Sequence, residues 1–376
     1  MMSNLDQYFF EKLRKRQEEG TLRKLSVEKT LIDFCSNDYL GLSRSQELWD
    51  FIEQKFRALA LRYNGSTGSR LLSGNSLYAE QVEERLASIF QSSKVLLFNS
   101  GYTANLGVIS SIAQKGDTIL YDELAHACIK DGARLSLANR YSFKHNDLND
   151  LENKIKKSTG RVLVVVESIY SMDGDACPLA GLVALKSKYD ITIILDEAHS
   201  TGVYGEGGNG YACSLNLHHN IDIRIYTFGK AIGVHGACVA GSDHLINYLI
   251  NFARPFIYTT AMTPHSLCSI DAAFEFIDRT PSLKEQLRKR IDFFLAKTKS
   301  ITNRTDSNSS IQTVVVECSE RARSLALHLQ NNGFDIRPIL SPTVPKGKER
   351  IRICLHAFNT DEEVSKLADL LIFYNN

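Results

Sequence analysis

The sequence predicts an α/β protein: a mainly parallel central sheet with helices on both faces, followed by a smaller C-terminal α/β domain. Three observations carry that expectation. The run Ile191-Thr192-Ile193-Ile194-Leu195 is short, aliphatic and β-branched, as suits a strand covered on both faces, and it stops at Asp196-Glu197-Ala198-His199. Between Val95 and Val166 strand signals alternate with helical ones, as crossovers in a parallel sheet require. From residue 281 onward strand signals recur at 311–316, 334–340 and 350–355, enough for a second, smaller unit.

At 376 residues and 43% hydrophobic content the chain can bury a large core. We divide it into an N-terminal helix and arm (1–45), a large domain (46–280) and a small C-terminal domain (281–376). The formal net charge of +1 gives no electrostatic case for nucleic acid or an anionic membrane. Arg14-Lys15-Arg16 and Lys154-Ile155-Lys156-Lys157 read as solvated helix faces. No apolar run approaches the ~18 residues of a membrane span, and Met1 to Arg16 lack a signal-peptide core. The chain therefore reads as cytoplasmic. Eight cysteines include no C-x-x-C pair, which fits reduced core thiols rather than a disulfide or zinc framework, and no metal site is expected.

Along the chain, residues 3–19 show an amphipathic helical pattern ending near Gly20, and the arm Leu22-Arg23-Lys24-Leu25 follows. Ile32-Asp33-Phe34-Cys35 reads as a strand entering a turn at Asn37-Asp38-Tyr39. A helix is expected from Trp49 to Leu61, then a loop of glycines and hydroxyls from Gly65 to Gly74. Val82, Leu86, Ile89 and Phe90 share one helix face. Val95 to Phe98 is a strand, and Asn99-Ser100-Gly101-Tyr102-Thr103 turns it into a helix ending at Ala113. On spacing alone this is an ordinary βα turn, but its free N–H groups and dipole end also suit a phosphate, with Gly101 and Tyr102 as contacts. Strands follow at Thr118–Tyr121, Tyr141–Phe143 and Val162–Val166, with a helix over 147–158. Gly205 to Gly210 spells G-x-G-x-x-G without the strand before or the helix after that a dinucleotide site needs, so we reject one. Ile223 to Tyr226 is a second short buried strand, followed at once by Thr227-Phe228-Gly229-Lys230, so two strand ends present Asp196 and Lys230 to one rim. Ser242 to Phe252 is helical, and Thr360-Asp361-Glu362-Glu363 fits a capping box opening a helix that buries Val364, Leu367 and Leu371.

A carboxylate at a strand end is costly to bury without a cationic partner. A pyridinium nitrogen needs an anion to stay protonated, and an aldehyde carbon needs a lysine to form a Schiff base; pyridoxal phosphate has both. At these residues the chain resembles the fold-type I pyridoxal-phosphate enzymes, and within them the α-oxoamine synthases, which join an amino acid to an acyl thioester with loss of carbon dioxide. The matching segments are Ser36 to Leu42, Glu167 to Asp175, Asp196 to Gly202 and Thr227 to Lys230, in the family's order across most of the chain. Each alone is weak; together they are specific.

The resemblance implies the fold of a fold-type I pyridoxal-phosphate-dependent transferase, with the cofactor in the 46–280 domain. It also implies residue roles. Lys230 takes the Schiff base and then acts as the base, Asp196 faces the ring nitrogen, and His199 bonds the ring hydroxyl. His126, a residue type more often structural when alone, stacks on the ring; Ser171 and Thr227 bind the cofactor, Thr227 at its phosphate. Thr259 and Thr260 reach a phosphate in the neighbouring subunit, which implies a homodimer with shared sites. Arg23 approaches the acyl donor, Asn37 binds substrate, and Arg352 takes the amino acid's carboxylate. The thioester is one of coenzyme A or of an acyl carrier protein. Thr227 to Lys230, Gly65 to Arg70 and Leu22-Arg23 look most like the 8-amino-7-oxononanoate synthases of biotin biosynthesis, which use L-alanine and a pimeloyl thioester. Leu340 and Asn359 depart from that branch, where arginine and histidine are usual, so glycine C-acetyltransferase (2-amino-3-ketobutyrate ligase) and serine palmitoyltransferase remain as alternatives. From another class, a binding protein that keeps the fold without catalysis is the further alternative.

Overall fold

In the computed structural model, which describes residues 3–25, 30–59 and 63–375, helix α1 (Asn4–Glu18) buries none of its side chains. Strand β1 (Ile32–Asp33) precedes α2 (Gln46–Ala58); this helix begins before Trp49 and stops short of the expected end, since Leu59 is already extended, while Ala60 and Leu61 lie outside the described residues. Next come α3 (Leu77–Ile89), β2 (Lys94–Phe98) and α4 (Gly101–Ile112). Strict alternation follows through β3 (Thr118–Asp122), α5 (Ala127–Leu135), β4 (Asn139–Phe143), α6 (Leu148–Ile155), β5 (Val162–Glu167), α7 (Leu179–Lys188) and β6 (Ile191–Asp196). A short α8 (Tyr211–Ser214) leads to β7 (Ile223–Thr227) and β8 (Ala237–Gly241). Four helices follow: α9 (Asp243–Phe252), α10 (Arg254–Ile257), α11 (Pro264–Arg279) and α12 (Ser282–Lys297). The chain ends with β9 (Ile311–Val315), α13 (Ser319–Asn331), β10 (Phe334–Asp335), β11 (Arg337–Ile339), β12 (Arg350–Cys354) and α14 (Asp361–Asn375).

Seven strands form the central sheet in the order β2-β8-β7-β6-β5-β3-β4. The five from β7 to β4 are parallel, and β8 runs antiparallel to both of its neighbours, β7 and β2. Side chains alternate between faces with a period of two. Val165 and Ile194 point to the side covered by α4, α5 and α9, whereas Val164, Val166, Ile193 and Leu195 point to that covered by α6 and α7. Each such aliphatic side chain, once buried, contributes roughly 1.5–3 kcal/mol. Register then places the chemistry: Glu167 lies beside Asp196, and Asp196 beside Ile225, so the ends of β5, β6 and β7 share one rim. Ligands of open α/β sheets bind at such carboxyl ends.

The C-terminal strands make a three-stranded antiparallel sheet, β11-β12-β9. The single strand expected over 334–340 is interrupted, because β10 pairs with β1 while β11 pairs with β12, with buried Ile336 at the crossing. The pairing joins the N-terminal strand to the C-terminal unit. All eight cysteines are free thiols, six of them buried, with Cys35 half-buried and Cys318 exposed. Among the described residues no helix is long and apolar enough to cross a membrane.

Candidate active site

Asp196 ends β6 almost fully buried, with Oδ1 accepting the Ala198 N–H at 2.8 Å and Oδ2 accepting the Asn105 amide at 2.7 Å. Asn105 went unnoticed in the sequence. Its signal is helical spacing, since it lies four residues after Gly101 on α4 and also donates to the Gly101 carbonyl; its own buried Oδ1 has no partner among the described residues. Lys230 follows β7, and the chain doubles back at Gly233, whose φ of +71° suits glycine and whose N–H donates to the Lys230 carbonyl. The Lys230 Nζ stands 2.9 Å from His199 Nε2. Burial pushes this amine down, Asp196 and Glu167 pull it up, and Arg352 acts with burial. Burial, Lys230 and Arg352 together hold His199 far below its ordinary value, so it is neutral at pH 7.

Glu167 opens one of the matching segments, and its register places it beside Asp196. It ends β5, is raised chiefly by burial and then by Asp196, and accepts the His126 N–H at 2.6 Å. His126 caps α5: its Nδ1 accepts the Cys128 N–H at 3.2 Å and lies 2.9 Å from the Cys128 thiol. Glu197, by contrast, is structural, because its buried carboxylate accepts the N–H groups of Tyr211 and Ala212 at the start of α8.

At the start of α4, Ser100 and Thr103 form a capping box. A Cβ at Gly101 would lie 2.2 Å from Thr227 Oγ1, so only glycine admits the Thr227 hydroxyl to the N-terminus of α4. Tyr102 is exposed, donates its phenol proton to Asp131 and meets the His126 ring edge-on. Asn99 donates to Thr259 Oγ1 at 3.2 Å and to the Thr260 carbonyl at 3.0 Å, which puts both threonines beside the strand end that leads into α4. These groups fit pyridoxal phosphate: a carboxylate with an amide oxygen nearby that has no partner among the described residues, a lysine whose charge burial disfavours, and a helix N-terminus cleared of side chain.

Arg352, on β12, donates from Nε to the Ser171 carbonyl at 2.7 Å, from Nη2 to Asn37 Oδ1 at 2.9 Å and from Nη1 to the Cys354 sulfur at 2.9 Å. A guanidinium has five N–H donors, so one is left on each terminal nitrogen. Asn37, Ser171 and Arg352 are thus brought together, although they come from distant parts of the sequence. Arg23 stands exposed on the arm after α1, and among the described residues no hydrogen bond or ion pair joins it to this group. Asn359 is a bracket, accepting the His356 N–H and donating to the Asp33 carbonyl, and Leu340 packs on the main core.

Residues 29–371 match the family described as aminotransferase class I and II. Over 388 residues the chain is 39% identical to an 8-amino-7-oxononanoate synthase of Emericella nidulans, covering 96% of this chain and 93% of that protein. Among solved structures it is similar to a Sphingomonas wittichii serine palmitoyltransferase, with a TM-score of 0.88 and 25% identity over 100% of this chain and 98% of that one. It is also similar to a Francisella tularensis 8-amino-7-oxononanoate synthase, with a TM-score of 0.79 and 28% identity over 92% and 97% of the two chains.

Proposed function

We infer the function from one premise: the chain belongs to the aminotransferase class I and II family. It is a pyridoxal-phosphate-dependent acyltransferase of the α-oxoamine synthase type. The reaction we propose is condensation of L-alanine with a pimeloyl thioester, with loss of carbon dioxide, to give 8-amino-7-oxononanoate. One observation carries the proposal: Lys230 and Asp196 share a rim, and Arg352 is linked to the same imidazole, that of His199, through Asn37 and Tyr39.

When bound, pyridoxal phosphate supplies an aldehyde carbon for an amine and a protonated ring that draws electrons. Asp196, oriented by Ala198 and Asn105, holds the proton at the ring nitrogen. The first N–H groups of α4, with Gly101, Tyr102 and Thr227, would bind the phosphate, and His126, whose backbone N–H is held by Glu167, would stack on the ring. Lys230, whose charge burial disfavours, moves the α-proton of the amino acid. Arg352 offers its two remaining donors as a fork to the substrate carboxylate, beside Asn37 and Ser171. Arg23 meets the acyl donor, while Thr259 and Thr260 serve the phosphate of the neighbouring protomer in a homodimer. Residues 46–280 form the cofactor domain and 281–376 the unit that brings Arg352.

The experiment is thiol release. Protein loaded with pyridoxal phosphate should release thiol fastest from pimeloyl-coenzyme A or pimeloyl carrier protein with L-alanine, and more slowly from acetyl-coenzyme A with glycine. Fastest release from palmitoyl-coenzyme A with L-serine would install the second reading, which the higher TM-score to a serine palmitoyltransferase favours. No release from any pair would leave only a binding protein. Lys230→Ala should keep its circular dichroism, lose the borohydride-reducible link, and slow thiol release by ~10²–10⁴-fold.

A further inference from the structure

We propose that Asp173 is a positioning residue of this site: by holding Arg350 in a largely buried ion pair, it fixes where β12 presents the Arg352 guanidinium. The proposal rests on the role given to Arg352 above, that of taking the amino acid's carboxylate.

The turn that follows β5 runs from the cofactor rim to the C-terminal sheet. At its start the Ser168 N–H donates to the Asp196 carbonyl at 2.8 Å, and a bridge between Ile169 and Ala176 closes it. At its tip three successive residues meet the C-terminal unit. The Ser171 carbonyl accepts from Arg352 Nε at 2.7 Å, and the Met172 carbonyl accepts from Arg350 Nη1 at 3.3 Å. Asp173 contributes twice, since its carboxylate pairs with Arg350 Nη1 and its carbonyl accepts the Thr305 hydroxyl at 2.9 Å. Gly174 comes next with a φ of +75°, and a Cβ there would collide with the Ile311 carbonyl oxygen, so the tip presses directly on β9.

Strand geometry divides the work between the two arginines. Arg350 and Arg352 lie on the same face of β12, roughly 7 Å apart, and so grip adjacent stations of one turn. Arg352 must keep an N–H free on each terminal nitrogen for substrate, and its anchors are a carbonyl, an amide oxygen and a sulfur. Arg350 has no such duty. Its side chain is 6% exposed, its Nε donates to the Lys348 carbonyl at 3.0 Å, and Asp173 is the one carboxylate within ion-pair distance of it among the described residues. A charge-assisted bond is about twice as strong as a neutral one, so the ion pair, rather than the substrate-binding arginine, sets the register between turn and sheet. No backbone ladder joins β12 to the central sheet. Side-chain bonds and packing across this seam therefore relate Arg352 to the rim that carries Asp196 and Lys230. Without the Asp173 charge, Arg350 keeps a buried cation with no counterion, β12 shifts to hydrate it, and the Arg352 fork loses its aim.

The test compares two amines that differ by one carboxylate. Protein loaded with pyridoxal phosphate is titrated with L-alanine and with ethylamine, and the change in visible absorbance gives a dissociation constant for each. In Asp173→Asn the constant for L-alanine should rise about tenfold while that for ethylamine changes by less than about twofold. Equal weakening of both amines would make the pair merely structural and overturn the proposal, as would no weakening of either. If Asp173→Asn does not fold, the double variant Asp173→Asn with Arg350→Gln, which leaves no unpaired charge, takes its place with the same readings. Arg352→Gln separates the premise from the proposal. If that variant still prefers L-alanine to ethylamine as the wild type does, the role of Arg352 fails and the proposal with it. A preference lost there but kept in Asp173→Asn overturns the positioning by Asp173 alone. No thioester enters these titrations, so thiol release is a separate result.

Discussion

Gly101 owes its identity to a hydroxyl on another strand. Adding one methyl in Gly101→Ala would meet Thr227 Oγ1 at 2.2 Å, so the threonine must turn away from the start of α4. The expected outcome is pyridoxal phosphate bound about tenfold more weakly, equal to ~1.4 kcal/mol, with a melting temperature close to wild type, both read by cofactor fluorescence and calorimetry. Single residues were legible where they sit in a local motif: Asp196, His199 and Lys230 follow strand ends, and Gly101 opens a helix. Asn105, Glu167 and Tyr39 were not, because their roles come from register and long-range packing. Asn105 meets Asp196 across 91 positions of sequence, and Tyr39 meets His199 across 160. No local pattern announces such a pair.

Elements with a strong period or a cap were also readable. The capping box at α14 is present in full, with Thr360 N–H donating to Glu363 and Glu363 N–H donating to Thr360 Oγ1. Thr360→Ala should cost ~1 kcal/mol of stability, seen as a lower urea midpoint with unchanged slope, and leave the visible absorbance of the loaded protein as it is. Strand β8 is not legible because Ala237-Cys238-Val239-Ala240-Gly241 has one β-branched residue, ends in glycine and follows another, Gly236; its place between β7 and β2 makes it a strand, not its propensity. The break between β10 and β11 was hidden likewise, since Phe334 to Leu340 looks continuous until two different partners claim its halves.

For the molecule as a whole, an acidity-dependent clamp joins three separate connections at the sheet rim. His145, after β4, contacts Asp122 at 2.9 Å and Asp175 at 2.7 Å. Burial works against its charge, yet the bonds to Asp122 and Asp175 outweigh burial and push it up to about 10. A raised cation stabilises the fold fully below its unfolded value of ~6.5 and loses that contribution as pH rises. Thermal stability should therefore fall as pH climbs towards 10, and His145→Gln should remove most of that slope while costing ~2–3 kcal/mol at pH 7, less than a fully buried pair. The pairing of β1 with β10 sets the order of events during synthesis. Ile32 leaves the ribosome early but must wait for Phe334, about 300 residues later, which at ~10 residues per second is roughly half a minute. Throughout that wait the nascent chain carries an unclaimed strand, so premature termination anywhere before Phe334 deprives β1 of its native neighbour.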